Sequence, residues 1–335
     1  MPGCTLETCT PFLHFERGLR TIDFVPRHPK KPPSPRAASP RTDPLKTLKS
    51  AAQTPALTDD AHGIWLYRGN SLAVLDGLAE QEPEGLFDMI FADPPYFLSN
   101  GGITCHAGRM VKVDKGDWDK SRGPELNHEF NTEWLRRCQK VLKPNGTIWV
   151  TGTSHVIFSV GFAMQQLGFK ILNDITWEKP NPPPNLSCRY FTHSTETVLW
   201  AAKNERSKHC FNYALMRQIA GGKQMKSVWR FTAPKGEEKK FGKHATQKPV
   251  ALVERCILAS TREGDLVLDP FLGGGTTAVA ALQTRRRCVG LELEENHLKI
   301  SVKRVDHARH LFLKPHTAEP PPCPDEPPLL PTAKS

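Results

Sequence analysis

The sequence predicts an α/β fold in which a mostly parallel sheet is covered by helices on both faces. Strand-like and helix-like segments alternate from Ile64 onward, which is typical of such a sheet. Of the 30 prolines, ten fall in residues 1–60 and eight in residues 315–331, so both ends have the composition of tails. The part between them is long enough to bury a substantial core, which excludes a fibrous or wholly disordered chain.

These observations divide the chain into three parts. We expect a disordered, basic and proline-rich extension over residues 1–61, a folded domain over 62–313, and a disordered proline-rich tail over 314–335. Residues 17–49 carry nine Lys or Arg against two Asp, within a chain whose formal net charge is +10. Such an extension attracts polyanions such as nucleic acid, although solubility alone is an equally open interpretation.

The cysteines and the apolar runs indicate the cellular compartment. Nine cysteines are scattered without a C-x-x-C pair or a Cys/His cluster, so we expect no metal site, and their odd number disfavours a disulfide framework. No run of about 18 uncharged apolar residues is long enough to span a membrane. The sequence therefore predicts a cytoplasmic protein without a membrane partner.

The elements follow from apolar spacing and from breakers. Apolar residues at helical spacing indicate helices, short apolar runs indicate strands, and Pro144 with Gly146 ends one helix. The range 178–243, rich in proline and basic residues, interrupts the alternation and is predicted to be an insertion that recognises a ligand. The predicted elements are strands at 64–67, 87–92, 147–150, 169–177, 197–201, 266–268 and 288–293, and helices after 70 and at 129–142, 155–167, 249–259, 276–284 and 295–307.

A glycine turn lies between a predicted strand and a predicted helix. Residues 268–277 read L-D-P-F-L-G-G-G-T-T, and glycines there allow a ligand to approach the backbone closely. Glu292 ends the next strand, where an acid can bind both hydroxyls of a ribose. The pattern differs from G-x-G-x-x-G, and a glycine-rich turn beside a surface Glu remains the alternative interpretation.

A second motif, Asp93-Pro94-Pro95-Tyr96, follows the buried strand at 87–92. The prolines lack amide hydrogens, so Asp93 and the Pro94 carbonyl are acceptors, and Tyr96 supplies a flat face. This combination suits a planar group that carries an amine. A turn with a stacked tyrosine is the alternative.

Together the two motifs resemble the S-adenosylmethionine-dependent amino-methyltransferases of DNA. In that family D-P-P-Y is the catalytic tetrapeptide and an F-x-G-x-G turn binds the methyl donor, and the order found here is that of its beta group. The resemblance implies a Rossmann-like methyltransferase fold with a circularly permuted motif order, an inserted target-recognition region, and Asp93, Pro94, Pro95 and Tyr96 as the catalytic residues.

Four further segments are similar to adenine-N6 methyltransferases of restriction-modification systems that target GATC: residues 92–102, 113–120, 185–200 and 244–249. The resemblance implies a bacterial cytoplasm, association with the nucleoid through DNA, and S-adenosylmethionine as cofactor. Asn70 stands where relatives often carry Asp, which puts donor affinity in question. The residues assigned to the donor are Asp269, Phe271, Gly273, Gly275, Thr276, Thr277, Glu292, His244, Thr246, Gln247, Lys248 and Asn70.

The resemblance implies DNA as partner, double-stranded and in some members single-stranded, and it allows a homodimer and a companion restriction endonuclease. Basic and aromatic side chains of the insertion could contact phosphates or bases, with an ordinary basic surface as the alternative; these candidates are Arg189, Tyr190, His193, Lys223 and Lys226. The acidic residues Asp114, Asp117 and Asp119 could order a loop over the target, but a solvated turn is the favoured interpretation.

The expected chemistry follows from the target amine. Its lone pair is delocalised into the base, so acceptors must draw its hydrogens away while a flipped-out base stacks on Tyr96. Asp93 favours adenine over cytosine N4, for which the tetrapeptide more often begins with Ser. Methylation of RNA or of a protein amide, and an inactive DNA-binding relative, are the remaining alternatives.

Overall fold

The structure is a computed structural model that describes residues 55–99, 103–106, 109–112, 119–234, 236–242 and 246–312. The predicted tail at 314–335, the predicted extension up to residue 54, and His244, Asp114 and Asp117 lie outside these residues. The strands are β1 (Pro55–Asp59), β2 (Ile64–Arg68), β3 (Phe87–Ala92), β4 (Ile103–His106), β5 (Arg109–Lys112), β6 (Leu142–Gly152), β7 (Lys170–Glu178), β8 (Thr195–Ala202), β9 (Val228–Arg230), β10 (Leu266–Asp269) and β11 (Arg287–Glu292). The helices are α1 (Ser71–Gln81), α2 (Pro124–Val141), α3 (Ile157–Gln166), α4 (Tyr213–Ile219), α5 (Gly236–Lys239), α6 (Val250–Ser260), α7 (Thr276–Gln283) and α8 (Glu295–Phe312).

Within the described residues, nine strands form one sheet in the order β1-β2-β11-β10-β3-β6-β8-β7-β9. The central strands β2, β11, β10, β3 and β6 are parallel to one another, whereas β1, β7 and β8 pair antiparallel with a neighbour. The strands β4 and β5 form a separate antiparallel pair. The predicted α/β class with a mostly parallel sheet is confirmed.

Helices bury both faces of the sheet. Successive side chains of a strand point to opposite faces, so in β3 Ile90 and Ala92 belong to one core cluster and Met89 and Phe91 to the other. Helices α1, α2 and α3 pack on the first cluster, and α6, α7 and α8 pack on the second. A strand buried on both faces reads as a continuous apolar run, which explains why the central strands could be predicted.

Two predicted boundaries are wrong. Strand β1 lies within the range 1–61 assigned to the extension, and it pairs antiparallel with β2, so the folded part includes Pro55. Strand β8 lies within the range 178–243 assigned to the insertion, yet it occupies an interior position of the sheet between β6 and β7. The described part of that range outside the sheet is therefore residues 179–194, 203–227, 231–234 and 236–242. Over the described residues, no helix is long and apolar enough to cross a membrane.

Candidate functional site

The two sequence motifs meet at one edge of the sheet. Strands β3 and β10 pair in parallel, with Met89 opposite Val267 and Ile90 opposite Leu268. Because the carboxyl ends of parallel strands lie at the same edge, the tetrapeptide after β3 and the glycine turn after β10 are brought together. The two motifs are far apart along the chain, but they are neighbours in the fold because the strands before them pair.

Asp93 is the centre of a hydrogen-bond network. Its Oδ1 accepts from Tyr96 Oη at 2.7 Å, from Thr151 Oγ1 at 2.7 Å and from Lys248 Nζ at 2.8 Å. Its Oδ2 accepts from Lys248 Nζ at 2.7 Å. Three donors from separate parts of the chain fix the carboxylate, and Pro94 and Pro95 are buried beside it.

Tyr96 is held as a neutral phenol. Its side chain is buried, and burial followed by the nearby carboxylates of Asp93 and Glu196 raises the pKa of Tyr96 well above its ordinary value. The phenol can therefore donate a hydrogen bond throughout the physiological range of pH. The ring forms one wall of a cavity described below.

Lys248 joins two carboxylates. Its Nζ lies 2.7 Å from Asp93 Oδ2 and 3.6 Å from Glu196 Oε2, and Glu196 also pairs with Lys179. Burial alone would lower the pKa of Lys248, but Asp93 and Glu196 outweigh it and the pKa is raised, so the ammonium stays charged. The charge of Lys248 is thus balanced by Asp93 and Glu196, and its assignment to the methyl donor stays a prediction.

The first cavity at this edge has a volume of about 550 Å³. It combines a buried acid, exposed backbone of the glycine turn, and apolar walls. Its lining includes seven predicted site residues: Asn70, Asp93, Pro95, Thr246, Phe271, Gly273 and Glu292.

Glu292 and Gly273 build one end of this cavity. Glu292 is buried at the end of β11, its Oε2 accepts from the Gly273 amide at 2.7 Å, and its Oε1 accepts from the Glu294 amide at 2.8 Å. Burial raises the pKa of Glu292, partly offset by these amides. Gly273 has a φ of 52°, a conformation that favours glycine. The predicted ribose acid and glycine turn thus lie together.

Four residues in and beside the glycine turn that were assigned to the donor do not line this cavity: Asp269, Gly275, Thr276 and Thr277. Thr277 Oγ1 donates to Asp269 Oδ2 at 2.5 Å, and the Phe271 amide donates to Asp269 Oδ1 at 2.9 Å. Thr276 Oγ1 donates to the Lys248 carbonyl at 3.2 Å. At Gly275, a Cβ would lie 2.8 Å from Ser301 of α8, so this glycine permits helix packing. Burial raises the pKa of Asp269 to about 7.

Asn70 has a local role as well. Its Oδ1 accepts from the Leu72 amide at 2.9 Å and thereby caps the N-terminus of α1, while the residue also lines the first cavity. Asn caps helices as well as Asp does, so Asn in place of Asp at position 70 preserves the N-terminus of α1.

The second cavity, of about 250 Å³, is lined by Tyr96, which does not line the first cavity. Trp177, Lys179 and Glu196 line it, together with the predicted donor residues Gln247 and Lys248. Thr246 lines both cavities. Gln247 and Lys248 therefore line the second cavity and not the first.

Asp119 holds the chain that follows the tetrapeptide. Its side chain is fully buried and accepts hydrogen bonds from the amides of Tyr96 at 2.8 Å, Phe97 at 2.9 Å and Leu98 at 3.1 Å. Phe97 has a φ of 58°, which this set of bonds helps to maintain. The favoured interpretation of a solvated acidic turn is thus wrong for Asp119.

Sequence reasoning missed Thr151, Lys179 and Glu196 as site residues. Each lies near the end of a strand at the edge that carries the tetrapeptide: Thr151 in β6, Lys179 after β7 and Glu196 in β8. Polar residues at these strand ends were the available signal, but the pairing order of β6, β8 and β7 was needed to use it.

The five candidate DNA contacts are all exposed. Arg189, Tyr190 and His193 lie on the loop 179–194 between β7 and β8, which starts beside the second cavity because Lys179 lines it. Lys223 and Lys226 lie between α4 and β9. In the part of the chain that the structure describes, no group of three or more His, Cys, Asp or Glu could hold a metal ion.

Comparison with known proteins gives consistent results. A family described as "DNA methylase" matches residues 87–303. The chain is 59% identical over 230 residues to Type II methyltransferase M2.DpnII of Streptococcus pneumoniae, covering 68% of this chain and 85% of that protein. It is 47% identical over 250 residues to Type II methyltransferase M2.MboI of Moraxella bovis, covering 75% and 90% respectively.

Solved structures agree with this fold. The M1.HpyAVI–SAM complex has a TM-score of 0.56 and 27% identity, and the match covers 72% of this chain and 99% of that one. The PvuII cytosine-N4-specific DNA methyltransferase has a TM-score of 0.58 at 20% identity, covering 78% and 95%, and supports the fold alone.

Proposed function

Because the chain belongs to the DNA methylase family and uses S-adenosylmethionine as its methyl donor, we propose that it methylates N6 of adenine in DNA. The observation that carries this proposal is a pair of cavities, the larger lined by Asp93 and the smaller by Tyr96, whose side chains are hydrogen-bonded to each other at 2.7 Å. The larger cavity would take the donor and the smaller one the target base. Transfer of a methyl group to an amine depends on alignment of the two reacting groups more than on acid catalysis.

The residues of the larger cavity fit the donor. Glu292 offers a buried carboxylate for hydroxyl groups, Gly273 offers close approach of backbone, and Phe271 and Pro95 offer apolar contact. When bound there, S-adenosylmethionine supplies an electrophilic methyl group. Asp269, Gly275, Thr276 and Thr277 act indirectly by shaping the turn on which the donor would lie.

Asp93, which lines the larger cavity and is hydrogen-bonded to Tyr96 of the smaller one, supplies the acceptor that an exocyclic amine requires. Among the described residues, Asp93 Oδ2 accepts a hydrogen bond only from Lys248, whereas a carboxylate oxygen has two lone pairs. The remaining lone pair is available for an amine hydrogen, and this bond draws the nitrogen out of conjugation with the ring. Asp93 is then also the nearest acceptor for the proton that the amine releases.

Tyr96 would hold the base in place. Its ring forms a wall of the smaller cavity, and stacking of a base on an aromatic side chain contributes roughly 1–3 kcal/mol. A base can reach this wall only after it has left the duplex. Thr151 and Lys248 position Asp93 and are not themselves expected to touch the base amine.

For the target we propose GATC, in double-stranded and single-stranded DNA, either within a restriction-modification system of the cytoplasm or as an orphan methylase. This rests on the four segments similar to GATC adenine methyltransferases and on relatives named Type II methyltransferases. Arg189, Tyr190, His193, Lys223 and Lys226 are proposed DNA contacts, and a homodimer and a companion endonuclease are proposed partners.

The test is methyl transfer from labelled S-adenosylmethionine to GATC and scrambled oligonucleotides, followed by nucleoside analysis. We expect N6-methyladenine in GATC, and we expect Asp93→Asn to reduce turnover by roughly 10² to 10⁴ while donor affinity persists. Asp174→Asn, an exposed aspartate of β7, is the matched control and should behave as wild type. N4-methylcytosine would establish the alternative target, and normal turnover in Asp93→Asn would refute the mechanism.

A further inference from the structure

An aromatic side chain without a function in the site described above lies on the loop 179–194. Phe191 is 95% exposed, and its neighbour Tyr190 is 61% exposed. Such exposure of two adjacent aromatic rings leaves apolar surface in water and marks a contact surface. Phe191 was not among the candidate DNA contacts read from the sequence.

The loop is anchored beside the smaller cavity. Its two ends are tied by a hydrogen bond from the Lys179 amide to the Ser194 carbonyl at 2.8 Å. At one end Lys179 lines the smaller cavity, and at the other Glu196 follows two residues after Ser194 and lines it too. The loop therefore projects from the rim of the space proposed for the target base.

Internal hydrogen bonds give the loop a definite shape. The Asn185 side chain donates to the Tyr190 carbonyl at 2.6 Å and accepts from the Ser187 amide at 3.0 Å and from Ser187 Oγ at 2.7 Å. These bonds span the segment that ends next to Phe191. The aromatic side chain is thus presented on an ordered loop.

The chemistry around Phe191 matches a nucleic acid. Arg189 and His193 lie two residues away on either side and are exposed, so they can meet phosphates while the ring meets bases. Apolar side chains that enter between base steps unstack a duplex, and an extruded base leaves a gap of the size of an aromatic ring.

We propose that Phe191 enters duplex DNA at the position that the target base leaves, and so acts as a positioning residue for methylation of duplex substrates. The proposal rests on the proposed function, because it requires a DNA substrate. The ring would stack on the bases that flank the gap and would oppose return of the extruded base. A single strand has no paired stack to refill, so Phe191 should matter little there.

The experiment compares duplex and single-stranded GATC oligonucleotides with Phe191→Ala and with the control Phe158→Ala, whose ring is 75% exposed on α3. On duplex, Phe191→Ala should reduce kcat/KM roughly 10- to 100-fold, the range expected from loss of base stacking. On the single strand the change should be less than about threefold. Phe158→Ala should match wild type on both substrates, and Phe191→Trp should restore duplex activity.

A duplex that carries 2-aminopurine at the target position gives an independent readout, since its fluorescence rises when the base leaves the stack. Wild type should raise the fluorescence, and Phe191→Ala should raise it less at saturating protein. Equal losses on duplex and single strand, wild-type duplex activity in Phe191→Ala, or a wild-type enzyme inactive on duplexes would each overturn the proposal. Absence of methyl transfer to every DNA by the wild type would instead refute the proposed function.

Discussion

Replacing Lys248 by methionine removes the ammonium group that lies between two largely buried carboxylates. Methionine keeps the length and most of the apolar stem of the side chain, so the change is chiefly one of charge. The distances of 2.7 Å to Asp93 and 3.6 Å to Glu196, and the 4% exposure of the lysine side chain, indicate that solvent screens these contacts poorly. The expected effects are lost stability and lost turnover.

The size of the stability loss follows from burial. Breaking a buried ion pair by removing one partner costs about 3–5 kcal/mol, because the remaining charge stays unpaired. The matched control is Lys299→Met, whose 2.6 Å pair with Glu295 is exposed, so solvent screens it and its loss should change stability far less. A double variant, Lys248→Met with Glu196→Gln, should recover part of the loss, because one of the two uncompensated carboxylates is gone.

Denaturant unfolding measures the stability. Calorimetric titration with S-adenosylmethionine tests whether Lys248 holds the donor or instead positions Asp93. Lys248 lines the smaller cavity and not the larger one, so donor affinity should change less than about threefold while kcat falls at least tenfold. The reasoning fails if Lys248→Met unfolds like Lys299→Met and keeps its kcat, or if only donor affinity falls.

Three further outcomes are expected. Glu292→Gln should weaken S-adenosylmethionine roughly 10- to 100-fold in calorimetry, as loss of a charged acceptor predicts, with the exposed Glu295→Gln unchanged; equal affinities would contradict the donor site. The pKa of Asp269, about 7 in the folded protein and about 3.9 when unfolded, means that the folded state binds more protons between these values. Stability should therefore fall by about 2 kcal/mol as pH rises from 5 to 7, and Asp269→Asn should lack this fall in denaturant titrations. Asp119→Ala leaves three amides without their acceptor, so it should cost on the order of 3 kcal/mol and lower kcat, and wild-type kcat would contradict its role in holding Tyr96.

The sequence predicted the parts of the fold and site that are encoded locally. The central strands are continuous apolar runs, and the tetrapeptide and the glycine turn directly follow two of them, so their meeting at one edge could be expected before the structure was known. Glu292 could be found in the same way, because it ends the next strand. These features need no knowledge of which distant segments pair.

The parts that sequence reasoning missed depend on distant pairing. Strand β1 is a short edge strand whose composition matches the tail before it, and only its pairing with β2 defines it. Asp119 resembles a surface acid until three amides from the tetrapeptide segment surround it. Lys248 was assigned to the donor from the resemblance of residues 244–249 alone, and its hydrogen bonds to Asp93 could not be read from the sequence.

The wall that the two cavities share, formed by Thr246 and the segment from Asp93 to Tyr96, has a consequence for the order of events in a catalytic cycle. When two binding sites share residues, each ligand changes the affinity for the other by the same factor. A donor that fixes the wall therefore increases the affinity for an extruded base, and the base in turn slows donor escape. The cycle thus favours binding of both reactants together over opening of DNA by an enzyme that holds no methyl donor.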